Sequence, residues 1–267
     1  MPPTEVHSIY TVTLKEVKEA VNGSFPYMLV PFLLASGFAL VHFLSIHLNL
    51  PKQRLRMFLS FSAGVGIAYV FIHLWPQVAE HQAEAEESIS WLSGHVLHYS
   101  LYITSLFGLA LFYTLDRLIS RAYESEETTD PNLIESRLFW AHISFFALYN
   151  AMIGYLLNHL ESLDRTVLIF TVAFGLHFIT NDWGLRHHHE KVYDSYGRHV
   201  LSLSILLGYL LGALTDLPPY FIGSLEAFIA GGMTLNVIKH ELPSERDGNL
   251  EGFLSGILSA GILFVLI

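Results

Sequence analysis

The sequence predicts an all-α, polytopic membrane protein of eight transmembrane helices, built as a 3+2+3 inverted-repeat bundle. Three observations predict this: long stretches without formal charge, basic residues gathered on alternate loops, and one helix that recurs. Of the 267 residues, 52% are apolar and 14% are charged, and the mean hydropathy is positive. A water-soluble domain carries about 25% charged residues, so this composition excludes an ordinary aqueous surface. The formal charge of −10 reflects acids clustered in the connections. The absence of cysteine excludes disulfides and thiolate metal sites. No basic segment precedes a short apolar core and a small-residue cleavage site, so no signal peptide is expected. Residues 1–25 read as a polar extracytoplasmic tail and 26–267 as the membrane domain.

A helix crosses a hydrocarbon core of ~30 Å with roughly 20 apolar residues. Asp, Glu, Lys and Arg are absent from Ala20 to Pro51, Met57 to Ala79, Ser88 to Leu115, and Leu138 to Leu160. Each stretch holds one helix. A fifth runs from about Leu163 to Trp183, a sixth from about His199 to Thr215, and an eighth from about Gly252 to Ile267. The seventh lies near Pro219 to Ile238 and includes Glu226.

With eight crossings, the loops on one side carry Lys15, Lys18 and Arg165. The opposite side carries Lys52, Arg54, Arg56, Arg117, Arg121, Arg137, Arg186, Lys191, Arg198, Lys239 and Arg246. Basic loops stay in the cytoplasm, so both termini are expected on the non-cytoplasmic side.

The second helix reads FSAGVGIAYVFIHLWP from Phe61 to Pro76, and the seventh reads FIAGGMTLNVIKHELP from Phe228 to Pro243. Without a gap, Phe61, Ala63, Gly64, Val70, His73 and Pro76 match Phe228, Ala230, Gly231, Val237, His240 and Pro243. Helices five apart cross in opposite directions, which is the mark of inverted repeats. Helices one to three (about 26–116) then pair with six to eight (about 198–267), leaving four and five (about 138–183) between them. The competing reading is convergent Gly-Ala packing.

These two helices resemble the corresponding helices of the ZIP (zinc/iron-regulated transporter-like) metal transporters, a resemblance covering roughly Pro26 to Ile267. It implies eight helices, both termini outside, a 3+2+3 arrangement and transport of a divalent cation of the zinc, iron or manganese class. It also implies ligands on the fourth and fifth helices. Where the family has His-Asn-x-x-acid-Gly, this chain has Tyr149-Asn150-Ala151-Met152-Ile153-Gly154. Where the family has His-acid-x-Pro-x-Glu, it has His177-Phe178-Ile179-Thr180-Asn181-Asp182. The matched metal positions are therefore Tyr149, Asn150, His177, Asn181 and Asp182, with two carboxylates missing.

Zinc takes about four N, S or O donors, and carboxylates offset its charge. Neutral amides compensate poorly for a dication's lost hydration. His177 and Asn181 share a helix face beside Thr180, while Asp182 is turned away by roughly 100°. The set serves either as a weak, mostly neutral cation site or as an interhelical hydrogen-bond cluster.

Glu226, the one carboxylate well inside a span, binds a cation or carries a proton, or else snorkels from the interface. His73 and His240 read as symmetric gates or as helix-end residues, and His42, His47 and His142 as packing or interfacial ones. Arg186 to Glu190 and the acidic stretch Glu80 to Glu87 read as polar loops able to recruit metal. An intramembrane zinc hydrolase lacks a His-x-x-x-His pair, so no enzyme is expected. The expected partners are the lipid bilayer, a divalent metal cation as substrate and a second copy in a homodimer, with no nucleic acid and no organic cofactor. The alternative to transport is a ZIP-like protein that binds, senses or assembles.

Overall fold

The computed structural model describes residues 29–47, 50–88, 98–124, 131–160, 165–241 and 248–266. The expected 1–25 tail, His95 and the side chain of His240 lie outside the described residues. Every regular element among those described is helical. Helix α1 spans Leu29–Leu44 and ends in a 3-10 turn, Ser45–His47. Helix α2 (Lys52–Tyr69) passes through a π turn (Val70–Leu74) into α3 (Trp75–Ser88). Then follow α4 (Ser100–Glu124), α5 (Pro131–Leu156) and α6 (Arg165–Val192). A second π turn (Tyr193–Gly197) leads into α7 (Arg198–Leu214). Helix α8 (Pro219–Asn236) runs into a third π turn (Val237–Glu241), and α9 is Leu250–Leu266.

Six of these runs are long and apolar enough to cross a membrane: Lys52–Glu86, Ser100–Ile119, Leu138–His159, Val167–His187, Tyr193–Leu214 and Pro219–Lys239. The chain is a multi-pass membrane protein. Helices α1 and α9 are apolar but shorter. Large apolar side chains such as Phe71, Leu106, Leu214 and Leu258 point outward, as lipid contact requires. Backbone polar groups are satisfied within each helix. The start of α9 is fixed twice: Asn249 accepts from the Gly252 N–H at 2.5 Å, and its own N–H donates to Ser60 Oγ at 3.0 Å. An Asn at that position supplies the acceptor that the first helical turn lacks.

The closest helix pairs are α2 with α9, α5 with α7, and α4 with α8. Each pair runs parallel. Phe61 meets Gly256 and Met57 meets Gly252; Ala151 meets Gly208 and Tyr155 meets Gly212; Leu101 meets Gly223 and Phe112 meets Gly232. Helix α1 runs parallel to α6, through Phe38–Phe178 and His42–Asp182. It runs antiparallel to α7, through Phe32–Tyr209 and Ala39–Ser202.

Small residues at these crossings let backbones touch. A Cβ at Gly64 would strike the Phe253 carbonyl and lie 2.8 Å from Ile257 N; one at Gly231 would strike the Ser105 carbonyl and lie 2.9 Å from Leu109 N. The reciprocal glycines, Gly256 and Gly108, lie against the carbonyls of Phe61 and Phe228. The π turns at Val70–Leu74 and Val237–Glu241 stand at the same offset that places Phe61 on Phe228. Helical periodicity alone does not reveal them, because a π turn adds a residue without changing the apolar character of the run.

Candidate functional site

Asn150 lies in the last two turns of α5 and is fully buried. Its Nδ2 donates to the Phe146 carbonyl one turn back at 2.8 Å, which fixes the amide's orientation. Oδ1 therefore faces across to α1, where His42 Nε2 approaches it at 3.1 Å. The other ring nitrogen, Nδ1, is 2.9 Å from both carboxylate oxygens of Asp182 on α6. His42 and Asn150 are 0% exposed and Asp182 is 1% exposed.

Both ring nitrogens of His42 thus face acceptors. The amide oxygen accepts from Nε2–H, and Nδ1 faces the Asp182 carboxyl group. A carboxyl group this deep needs a polar partner, because an unpartnered buried charge is far more costly than a paired one. The Phe178 ring packs on His42 with centroids 5.0 Å apart. Ser45 Oγ donates to the His42 carbonyl at 3.1 Å and closes the end of α1. Tyr193, at the second π turn, is buried beside Asp182 and Ser45.

His177 is buried one turn before Asn181, with its ring centroid 6.1 Å from that of Tyr149. Thr180 spends its hydroxyl on its own helix, donating to the Leu176 and His177 carbonyls. Asn181 is nearly buried, and its Nδ2 meets no acceptor. The structure therefore brings Asn150 and Asp182 together through His42, and Tyr149 beside His177 in a neighbouring layer. Among the described residues, no three His, Asp or Glu side chains lie close enough to hold a metal ion.

No family model, curated protein or solved structure matches the chain.

Glu226 stands apart from this cluster. In the second turn of α8, its carboxylate pairs with His81 Nε2 at 2.7 Å, and His81 Nδ1 lies 3.2 Å from Glu84. Tyr69, His73, Gln77 and Glu226 line a cavity of about 30 Å³ against an apolar wall that includes Phe174. That is room for a water molecule or a bare ion. Phe174 also packs against His177, with centroids 6.2 Å apart, so one ring separates the cavity from the buried polar layer. A smaller cavity of about 20 Å³ is lined by Asp116, His142 and Asn236 among apolar residues. Asp116 pairs there with Lys239.

Several local expectations change. His42, read as packing or interfacial, is the centre of the buried network; a lone histidine in an apolar run gives no sign of its partners. The stretch Glu80 to Glu87 is helical and continues α3 to Ser88. His81, Glu84 and Glu86 carry i,i+3 and i,i+4 polar contacts there, of the kind that stabilise an exposed helix end. The Arg186 stretch likewise continues α6 to Val192. Arg186 forks onto Asp194 at 2.8 and 2.9 Å, a bidentate pair that holds the second π turn. His142, read as a packing or interfacial residue, borders the smaller cavity.

Proposed function

We propose that this chain is a ZIP-like integral membrane protein that carries a divalent metal cation across the bilayer. One observation carries the reading. Asp182 is the one fully buried carboxylate among the described residues, and it is grouped with Asn150 at the positions where the resemblance places metal ligands. A dication leaving water needs a negative donor to offset its hydration, and Asp182 supplies it at a contact of three helices.

The proposed frame is eight crossings in a 3+2+3 inverted repeat, with both termini on the non-cytoplasmic side. The matched π turns support it, as do the equivalent close contacts made at Gly64 and Gly231, and at Gly256 and Gly108, in the two helix pairs. Helix direction supports it too. Counting α2 and α3 as one crossing, each parallel pair joins crossings of equal parity, and the antiparallel α1–α7 pair joins opposite ones. On this frame a cation from outside first meets Glu226, His73 and Gln77. It then passes Phe174 to reach His177, Asn150 and Asp182. Rocking of one repeat against the other would open the site to each side in turn.

Cation uptake into proteoliposomes tests the reading with zinc, iron, manganese and cadmium. Asp182→Asn should lower flux by at least ~10-fold, a loss of ~1.4 kcal/mol. No flux above empty liposomes for any of the four metals would overturn transport. The second reading, a ZIP-like protein that binds, senses or assembles without transport, is favoured by one feature: His42 already occupies the Asp182 carboxyl group. It predicts no flux, together with a wild-type affinity for metal that does not depend on a transmembrane gradient.

A further inference from the structure

We infer that the His42 ring is a tethered plug that closes the Asn150–Asp182 site, so that a substrate metal ion and the ring compete for the same carboxyl group. The inference rests on the transport reading and adds the regulation of its site.

Space comes first. A metal ion held by a carboxylate and an amide oxygen lies about 2.0–2.2 Å from each. The volume between Asn150 Oδ1 and Asp182 is filled by the imidazole, with contacts of 3.1 and 2.9 Å. All three side chains are at most 1% exposed, so that volume is closed to solvent in this arrangement. The ring must leave before the ion can enter.

Polarity points the same way. The two ring nitrogens of His42 meet the oxygens that a bound metal would use, Asn150 Oδ1 and the Asp182 carboxyl group. The groups facing it are Ser45 from its own element, Asn150 from α5, and Asp182 and Phe178 from α6, with Tyr193 beside Asp182. Asp182 is the only carboxyl group among them. Without the ring or an ion, its buried oxygens would lose their His42 partner, which disfavours an empty, open site.

The anchor is the third part. His42 is two residues from the end of α1, where the helix tightens into the Ser45–His47 turn. Ser202 Oγ on α7 ties the Ala39 carbonyl of α1 at 2.8 Å, so α1 is held between α6 and α7. Withdrawal of the ring requires its end of α1 to shift against both. Filling of the site is thereby coupled to a movement of the first helix.

The test measures Cd²⁺ binding to purified full-length protein in lipid nanodiscs by calorimetry, for wild type, His42→Ala, His42→Gln and His42→Ala/Asp182→Asn. Uptake by wild type in proteoliposomes is measured from the same preparation, and thermal unfolding reports folding. His42→Ala should bind Cd²⁺ at least ~10-fold more tightly than wild type, and the added Asp182→Asn should erase the gain. Glutamine keeps hydrogen-bonding capacity but replaces the rigid ring with a flexible chain, so His42→Gln should also bind more tightly and decides the matter if His42→Ala does not fold. Equal binding would overturn the inference, since the ring then excludes nothing. Weaker binding would overturn it in the other direction, making His42 a ligand. Wild-type flux without a gain in either His42 variant removes this inference alone, whereas no flux and no binding in any variant removes the transport reading with it.

Discussion

Gly64 and Gly231 make the same contact in two different places. Each sits where a Cβ would strike a carbonyl of the adjoining helix, Phe253 for Gly64 and Ser105 for Gly231, with the backbone nitrogen four residues further on also within 3 Å. Alanine at either position must push two helix backbones apart. Each substitution should cost about 1–3 kcal/mol, the usual penalty for overpacking. Gly175→Ala on α6, where nothing lies within 4 Å of the new Cβ, should be neutral or stabilising by up to ~1 kcal/mol from helix propensity. Thermal unfolding in detergent distinguishes the two sets, and equal losses at all three positions would contradict the packing.

The chain has no cysteine, so single introduced thiols report sidedness cleanly. On the proposed topology, Asp216→Cys, in the exposed connection between α7 and α8, reacts with an impermeant maleimide added outside intact cells. Lys52→Cys, exposed at the start of α2, reacts only after permeabilisation. The reverse pattern would invert the orientation. Labelling of both from one side would break the eight-crossing count.

Glu226 guards the outer cavity in the proposed pathway, paired with His81 at 2.7 Å. Glu226→Gln removes the charge that attracts a cation and leaves the deeper site intact. Uptake should therefore show a raised KM with kcat changed far less, the pattern expected when capture alone is weakened. A fall in kcat at unchanged KM would place Glu226 in the translocation step instead.

Tyr155 ties the end of α5 to the connection after α7. Its hydroxyl donates to the Thr215 carbonyl and accepts the Leu217 N–H, each at 3.1 Å. Tyr155→Phe leaves both backbone groups without this partner. The loss should be about 1 kcal/mol, with faster hydrogen exchange at Leu217. Protection at Leu217 equal to wild type would show that the bond does not hold the connection.

The helical class and the boundaries of the spans were legible because charge is excluded from hydrocarbon and a span has a fixed minimum length. Pro219 to Ile238 and His199 to Thr215 lie within a few residues of α8 and α7. The buried cluster was half legible. Asn150 and Asp182 enter only through the family resemblance, with Asp182 turned away from the His177 face, while His42 does not enter the site at all, because its meaning lies in partners 108 and 140 residues away. Glu226 was visible as an acid inside a span, but its partner His81 sat in what read as a loop. Local polarity there resembled a solvated connection, and the helix persists because its side chains pair along its own surface.

The two π turns at Val70–Leu74 and Val237–Glu241 also bear on history. A π turn is a helix carrying one residue more than its hydrogen-bond ladder needs. On the inverted-repeat reading, both halves carry that surplus residue at one common position, so a single insertion made before the halves diverged accounts for both. The ancestral three-helix unit then already had its widened turn when it was copied, and neither half has since shed the extra residue.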